Sequence, residues 1–238
     1  MDTSLLAALG LGFVLGLRHA LDADHIAAVS ALVSQHRSLV RSCLLGTFWG
    51  AGHTAALLAA AVVVIAFKVT ISPAVERGLE LAVAALLILL GAHVLLRCVA
   101  GASVHRHEHI HDGHRHSHLH LHGDGGQSGE ARGSHGHRHL LSLGRRPFLV
   151  GLVHGMAGSA ALMLLVLATI PSALGGLLYV LIFGVGSTAG MLLLSGLIGI
   201  PFAVTAGRSR AALMAVQALA GAASLLLGCW LVWDLRGG

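Results

Sequence analysis

Charge is scarce in this chain. Only 11% of its 238 residues are Asp, Glu, Lys or Arg, against roughly a quarter in an ordinary globular protein. So few charges cannot cover a soluble domain of this size. Lysine is nearly absent, Lys68 being the single one, and no Gly-x4-Gly-Lys-Ser/Thr loop occurs. ATP hydrolysis by this chain is therefore not expected. The three cysteines, Cys43, Cys98 and Cys229, lie far apart and form no CxxC. They read as free thiols, and a thiol–disulfide electron carrier would lack its dithiol. An intramembrane metalloprotease would want His-Glu-x-x-His, and the first apolar segment holds no Glu. The N-terminus lacks the basic region of a cleaved signal peptide, so the first helix is expected to be retained.

What is present is apolar. Such residues make up 55% of the chain and fall in long runs, which places it in the membrane class. Windows of about twenty residues give six candidate spans, near 5–33, 43–67, 76–100, 147–170, 174–199 and 211–234. The connections after the first, third and fifth spans hold eleven arginines, among them Arg37, Arg97, Arg145 and Arg208; the other side holds only Lys68, Arg77 and Arg236. The positive-inside rule then puts both termini outside and the long polar connection in the cytoplasm, with the chain in the inner membrane. The net charge of +5 thus reports topology and gives no reason to expect nucleic acid.

The two halves repeat at an offset near 135 residues. Phe13-x-x-Gly16-Leu17-x-His19 recurs as Phe148-x-x-Gly151-Leu152-x-His154. Gly50-x-Gly52-His53-Thr54-Ala55 recurs as Gly184-x-Gly186-Ser187-Thr188-Ala189, and Leu90-Gly91 before His93 as Leu227-Gly228 before Trp230. A repeat of three spans is odd, so its second copy enters the membrane from the opposite side. The expected fold is all-α: two inverted three-helix repeats, 1–100 and 147–238, joined by a flexible cytoplasmic loop over 101–146. Transporters built this way bind substrate near the midplane, where the halves meet. Glycines four apart, such as Gly12/Gly16 and Gly151/Gly155, let helices approach closely in lipid.

The first span carries the strongest chemical signal, His19-Ala20-Leu21-Asp22-Ala23-Asp24-His25. Ionisable side chains at mid-span cost a few kcal/mol per charge even on the mild insertion scale, roughly 2.5–3.5 kcal/mol. They persist where they face water or bind an ion. On a regular helix His19, Asp22 and His25 share one arc, and Asp24 points elsewhere. Either the helix unwinds here, or Asp24 orients a ligating histidine by accepting its other ring N–H. The competing reading is an internal ion pair with Arg18 that fastens helices together. Four ionisable groups within seven residues, joined by His53 and His154 beside matched glycines, favour a metal site. If the repeat is real, His53 and His154 should reach the first-span cluster. Imidazole plus carboxylate without thiolate suits Ni²⁺, Co²⁺ or Zn²⁺. Thr54, Ser187 and Thr188 are secondary candidates. So is Glu80, matched by Gln217, for coupling, and His93, which as a lone histidine near a helix end is more often interfacial.

Arg18 through Ile26, reading RHALDADHI, resembles the His-x4-Asp-His signature of the nickel/cobalt permease family. Gly52-His53-Thr54 resembles that family's second motif, Gly-His-Ser/Thr. The resemblance covers most of the apolar chain. It implies membrane passage of Ni²⁺ or Co²⁺ as substrate, with the first-helix histidines and aspartates essential and no prosthetic group. Long members have eight spans; this chain is similar to the short branch, some of it linked to urease maturation and some to metal efflux. The long members' acidic residues in two later motifs are absent from 151–162 and 183–194.

Twelve histidines, from His105 to His139, crowd the connection between the third and fourth spans. Its apolar content cannot build a core, so disorder without metal is expected. Such a segment chelates loosely, as a cytoplasmic metal buffer or as a linker that binds metal incidentally. The expected function is a carrier, not an enzyme: uptake of divalent metal through the bilayer, with a cytoplasmic metallochaperone as a candidate receiver. The alternatives are efflux by proton or ion antiport, with Asp22, Asp24 and Glu80 available to couple, and a non-transporting membrane sensor.

Overall fold

A computed structural model describes residues 3–68, 72–102, 108–111, 114–117, 138–156, 170 and 172–237. Seven helices run through them: α1 (Thr3–His19), α2 (Ala23–Val33), α3 (Leu39–Phe67), α4 (Pro73–Ala102), α5 (Arg138–Gly155), α6 (Ala173–Arg208) and α7 (Arg210–Gly237). Among the described residues, α3, α4, α6 and α7 are long and apolar enough to cross a membrane. The pair α1 and α2 passes the same test together, bent by 57° at the break between them. The chain is a helical, multi-pass membrane protein.

Two expectations about the long connection change, and one expected span lies partly outside the described residues. The fourth expected span, 147–170, is described only through its first half, as part of α5. That helix begins at Arg138, inside the segment read as flexible loop, because Arg138–Gly144 holds good helix formers ahead of the apolar run. Disorder in the His-rich segment also gives way locally. Strands β1 (Glu108–His111) and β2 (His114–Ser117) pair antiparallel, with His109 opposite His116 and His111 opposite His114. Short alternating sequence suits a two-stranded ribbon. The rest of that loop lies outside the described residues.

Two apolar clusters pack between the helices. One joins Val29 and Val33 of α2, Trp49 of α3, Leu87 of α4, Met191 and Phe202 of α6 and Leu213 of α7. The other joins Leu57 and Ala61 of α3 to Tyr179, Val180 and Phe183 of α6. Leu89, Leu96, Leu193, Leu219 and Leu226 face outward and are well exposed, the arrangement that lipid requires. Lipid gives no hydrophobic drive between helices, so close backbone approach must hold them. Gly16 of α1 meets the Phe183 carbonyl of α6, and Gly151 of α5 meets the Trp49 carbonyl of α3. Likewise Gly186 meets the Phe13 carbonyl and Gly52 the Phe148 carbonyl. A Cβ at any of the four would overlap backbone. Between α3 and α6, Thr54 Oγ1 donates to the Gly184 carbonyl at 3.0 Å and lies 3.1 Å from Thr188 Oγ1. Between α4 and α7, Ser224 Oγ donates to the Leu87 carbonyl at 2.9 Å.

Candidate metal site

The break between α1 and α2 builds the site. The last turn of α1 tightens, Leu21 N–H donating to the Arg18 carbonyl and Asp22 N–H to the His19 carbonyl. Asp22 then turns extended (φ −64°, ψ 148°) and starts α2. Its carboxylate makes no capping bond to the helix; Oδ2 instead lies 2.7 Å from His19 Nδ1. Asp24 sits in the first turn of α2, where a helix N-terminus favours negative charge. The bend therefore answers the question the sequence left open: the helix unwinds, and all four side chains of the motif face inward or act on those that do.

His19, His25, His53 and His154 form one buried group, none more than 9% exposed. His19 Nε2 lies 3.2 Å from His53 Nε2. The rings of His19 and His25 are 4.3 Å apart, and those of His25 and His154 are 4.4 Å apart. Asp24 ties the second pair together: Oδ1 lies 2.9 Å from His25 Nδ1, and Oδ2 lies 3.0 Å from His154 Nε2. Trp49 and Phe183 close the group, with ring centroids 5.3 Å from His25 and 5.6 Å from His19 respectively.

Two overlapping triads could each hold a metal ion. One is His19, His25 and His53; the other is Asp24, His25 and His154. Within each, one ligand atom per residue lies within 4.8 Å of the others. His25 belongs to both. The donor set fits a borderline divalent cation: imidazoles, one carboxylate and no sulfur. Buried polar atoms normally find partners, yet His25 Nε2, His53 Nδ1 and His154 Nδ1 have none. If His19 donates its Nδ1–H to Asp22, its Nε2 keeps a lone pair for a ligand, the usual outer support of a metal-binding histidine.

Other candidates stand apart. Asp22, with its side chain 54% exposed, belongs to neither triad and holds His19 from behind. His93 is exposed and lines a different cavity, beside Arg97 and Arg145; the length of α4 puts it near the far end of that helix. Thr54 and Thr188 bond each other at the α3–α6 crossing, and Ser187 is fully buried with an unpartnered Oγ. Gln217 donates to the Ser34 carbonyl at 2.7 Å, closing the end of α2. Glu80 lines a cavity of about 250 Å³ together with Asp24 and Asp234, against an apolar wall that includes Val83 and Trp230. Sequence reasoning missed Asp234, Trp49 and Phe183. The repeat carried a signal for the last two, since they are aromatic at equivalent positions ahead of Gly50 and Gly184.

The chain matches the profile of a family described as high-affinity nickel-transport protein over residues 5–216. It is 39% identical over 219 residues to a urease accessory protein, UreH, of Bacillus sp. (strain TB-90), covering 88% of this chain and 83% of that one. No solved structure matches it. The matched stretch runs from α1 into the start of α7 and includes every member of the buried histidine group, so the chain belongs to the high-affinity nickel-transport protein family.

Proposed function

We propose that this protein is a secondary transporter that takes up Ni²⁺ or Co²⁺ across the cytoplasmic membrane, binding the ion at the joined triads. One observation carries the reading. Four buried imidazoles and a half-buried carboxylate sit together in a chain with very few charges, and three of the ring nitrogens have no protein partner. A buried polar cluster of that kind would be costly without a ligand. His19, His25 and His53 supply one set of nitrogens, and Asp24 and His154 offer the ion a second position around His25. A dication passed between sites sharing one ligand never has to leave all its ligands at once. That lowers the barrier to release, as conduction requires.

Inverted repeats are the architecture that suits this reading. The close approaches exchange between halves: α1 meets α6 where α5 meets α3, through equivalent residues. Thr54 and Thr188, also equivalent, meet each other. A twofold axis in the membrane plane gives this pattern; the later part of the fourth expected span, 157–169, lies outside the described residues. Under the positive-inside rule both termini are outside. The cavity at Asp24, Glu80 and Asp234 then faces outward and offers an entering cation three carboxylates. A dication moving inward down 100 mV gains roughly 4.6 kcal/mol, twice the value for one charge, so uptake needs no other energy source. The His-rich segment would meet the ion in the cytoplasm, and a metallochaperone there is the receiver this route needs.

In proteoliposomes, ⁶³Ni²⁺ should enter faster as an inside-negative potassium diffusion potential is raised. No flux in either direction would make the protein a sensor. Flux driven only outward against an inward proton gradient would overturn uptake. Accessibility labelling of single cysteines should find positions 37–41 and 145–146 inside and both termini outside, and a cytoplasmic C-terminus would break the inverted-repeat reading.

A further inference from the structure

A second large cavity lies away from the histidine group, between the C-terminal end of α2, the α3 wall, the later part of α4 and the middle of α5. Its volume is about 850 Å³. Five of its lining side chains are cationic or can become so: His36, His93, Arg97, Arg145 and Arg146. Among the described residues, no carboxylate lines it. The three arginine side chains are exposed, and Arg97 Nη1 is held by Gln35 Oε1 at 2.8 Å. The remaining wall is apolar, with Leu32 from α2, Leu90 from α4, and Leu149 and Val150 from α5. Burial, then the nearby Arg41, holds the His36 imidazole below its ordinary value. His36 therefore adds a neutral hydrogen-bonding ring beside the arginines.

We propose that this cavity is a binding site for an anionic phospholipid. A basic rim repels a divalent cation, so the cavity does not suit the transported ion. It suits the opposite charge. Arginine forks bind phosphate oxygens in pairs, and basic pockets between helices on the cytoplasmic side take acidic headgroups. The positive-inside rule puts all three arginines on that side. A soluble phosphate would satisfy the arginines but would leave Leu32, Leu90, Leu149 and Val150 facing water. A phospholipid fills both parts, its phosphate on the arginine rim and its chains along the apolar wall. The site also binds three elements to one ligand. α2 carries His25, α5 carries His154, and α4 carries Glu80, so lipid seated here braces the helices that hold the metal group.

The test uses the full chain, purified in detergent, stripped of lipid and examined by native mass spectrometry. Phosphatidylglycerol should be retained at least about tenfold more tightly than phosphatidylcholine, and millimolar inorganic phosphate should not displace it. Neutralising the rim with Arg97→Gln, Arg145→Gln and Arg146→Gln should erase that preference, weakening phosphatidylglycerol at least about tenfold to the level of phosphatidylcholine. Ni²⁺ binding by the same protein should persist, showing that it is folded. Should that variant not fold, Leu149→Trp keeps every charge and fills the apolar wall, and it should lose the lipid too. Equal retention of the two lipids, displacement by inorganic phosphate, or lipid binding unchanged in either folded variant would overturn the proposal.

Discussion

Replacing His25 with alanine is expected to abolish ⁶³Ni²⁺ flux in proteoliposomes while the protein still inserts and purifies normally. His25 belongs to both triads, so its loss removes a nitrogen from each of them at once. It also loosens Asp24, whose Oδ1 loses the ring 2.9 Å away and keeps only the backbone N–H of residue 25. Losing a group that merely supports a metal ligand costs about 10–100-fold in affinity or activity. Loss of a ligand shared by two positions should exceed that range. His93→Ala is the matched control: another histidine of the membrane region, exposed and outside both triads, whose removal should leave flux within about twofold, the span of an ordinary surface change. Full flux in His25→Ala would remove the buried group from the transport path. Equal loss in His93→Ala would show that the assay reports folding.

The sequence made part of this site legible, and physical reasons explain which part. His19, Asp22, Asp24 and His25 stand out because ionisable side chains in an apolar run are expensive, and expense needs a cause. His53 and His154 became visible through the repeat, which matched them to glycines that must pack closely. The structure brings both into the cluster. What the sequence could not show is the division of labour between the two aspartates. On a straight helix Asp22 shares an arc with the histidines and Asp24 does not; the break at Ala20–Asp22 reverses this. Such a break follows from satisfied backbone and side-chain bonds across several elements, which a periodicity cannot contain. Asp234 was hidden for a similar reason. It lies close to the chain's end, and only the packing of α7 on α4 sets it beside Glu80 and Asp24. The expected fourth span starts at 147 because Arg145 and Arg146 end the apolar window; such a window reports the membrane and says nothing of α5 extending beyond it to Arg138.

Asp24 and His154 are expected to act as one unit, and a double-mutant cycle on transport measures whether they do. Asp24 Oδ2 and His154 Nε2 lie 3.0 Å apart, across the crossing of the two halves. His154 is 1% exposed, with Nδ1 unpartnered. If His154 donates its Nε2–H to Asp24, its Nδ1 keeps the lone pair that an ion needs; without the carboxylate the ring loses that tautomer and its orientation. Asp24→Ala should therefore lower flux at least about a hundredfold, since it removes a ligand of its own and frees both His25 and His154. His154→Ala alone should lower it about tenfold, because the His19, His25 and His53 set remains. Independent contributions would multiply to about a thousandfold in the double variant. Residues in one hydrogen-bonded network deviate from that product. The double variant should stay within about twofold of Asp24→Ala, because a histidine already unseated has nothing further to lose. A thousandfold loss would mean that His154 serves the ion without Asp24, and that the two halves meet at the site without sharing it.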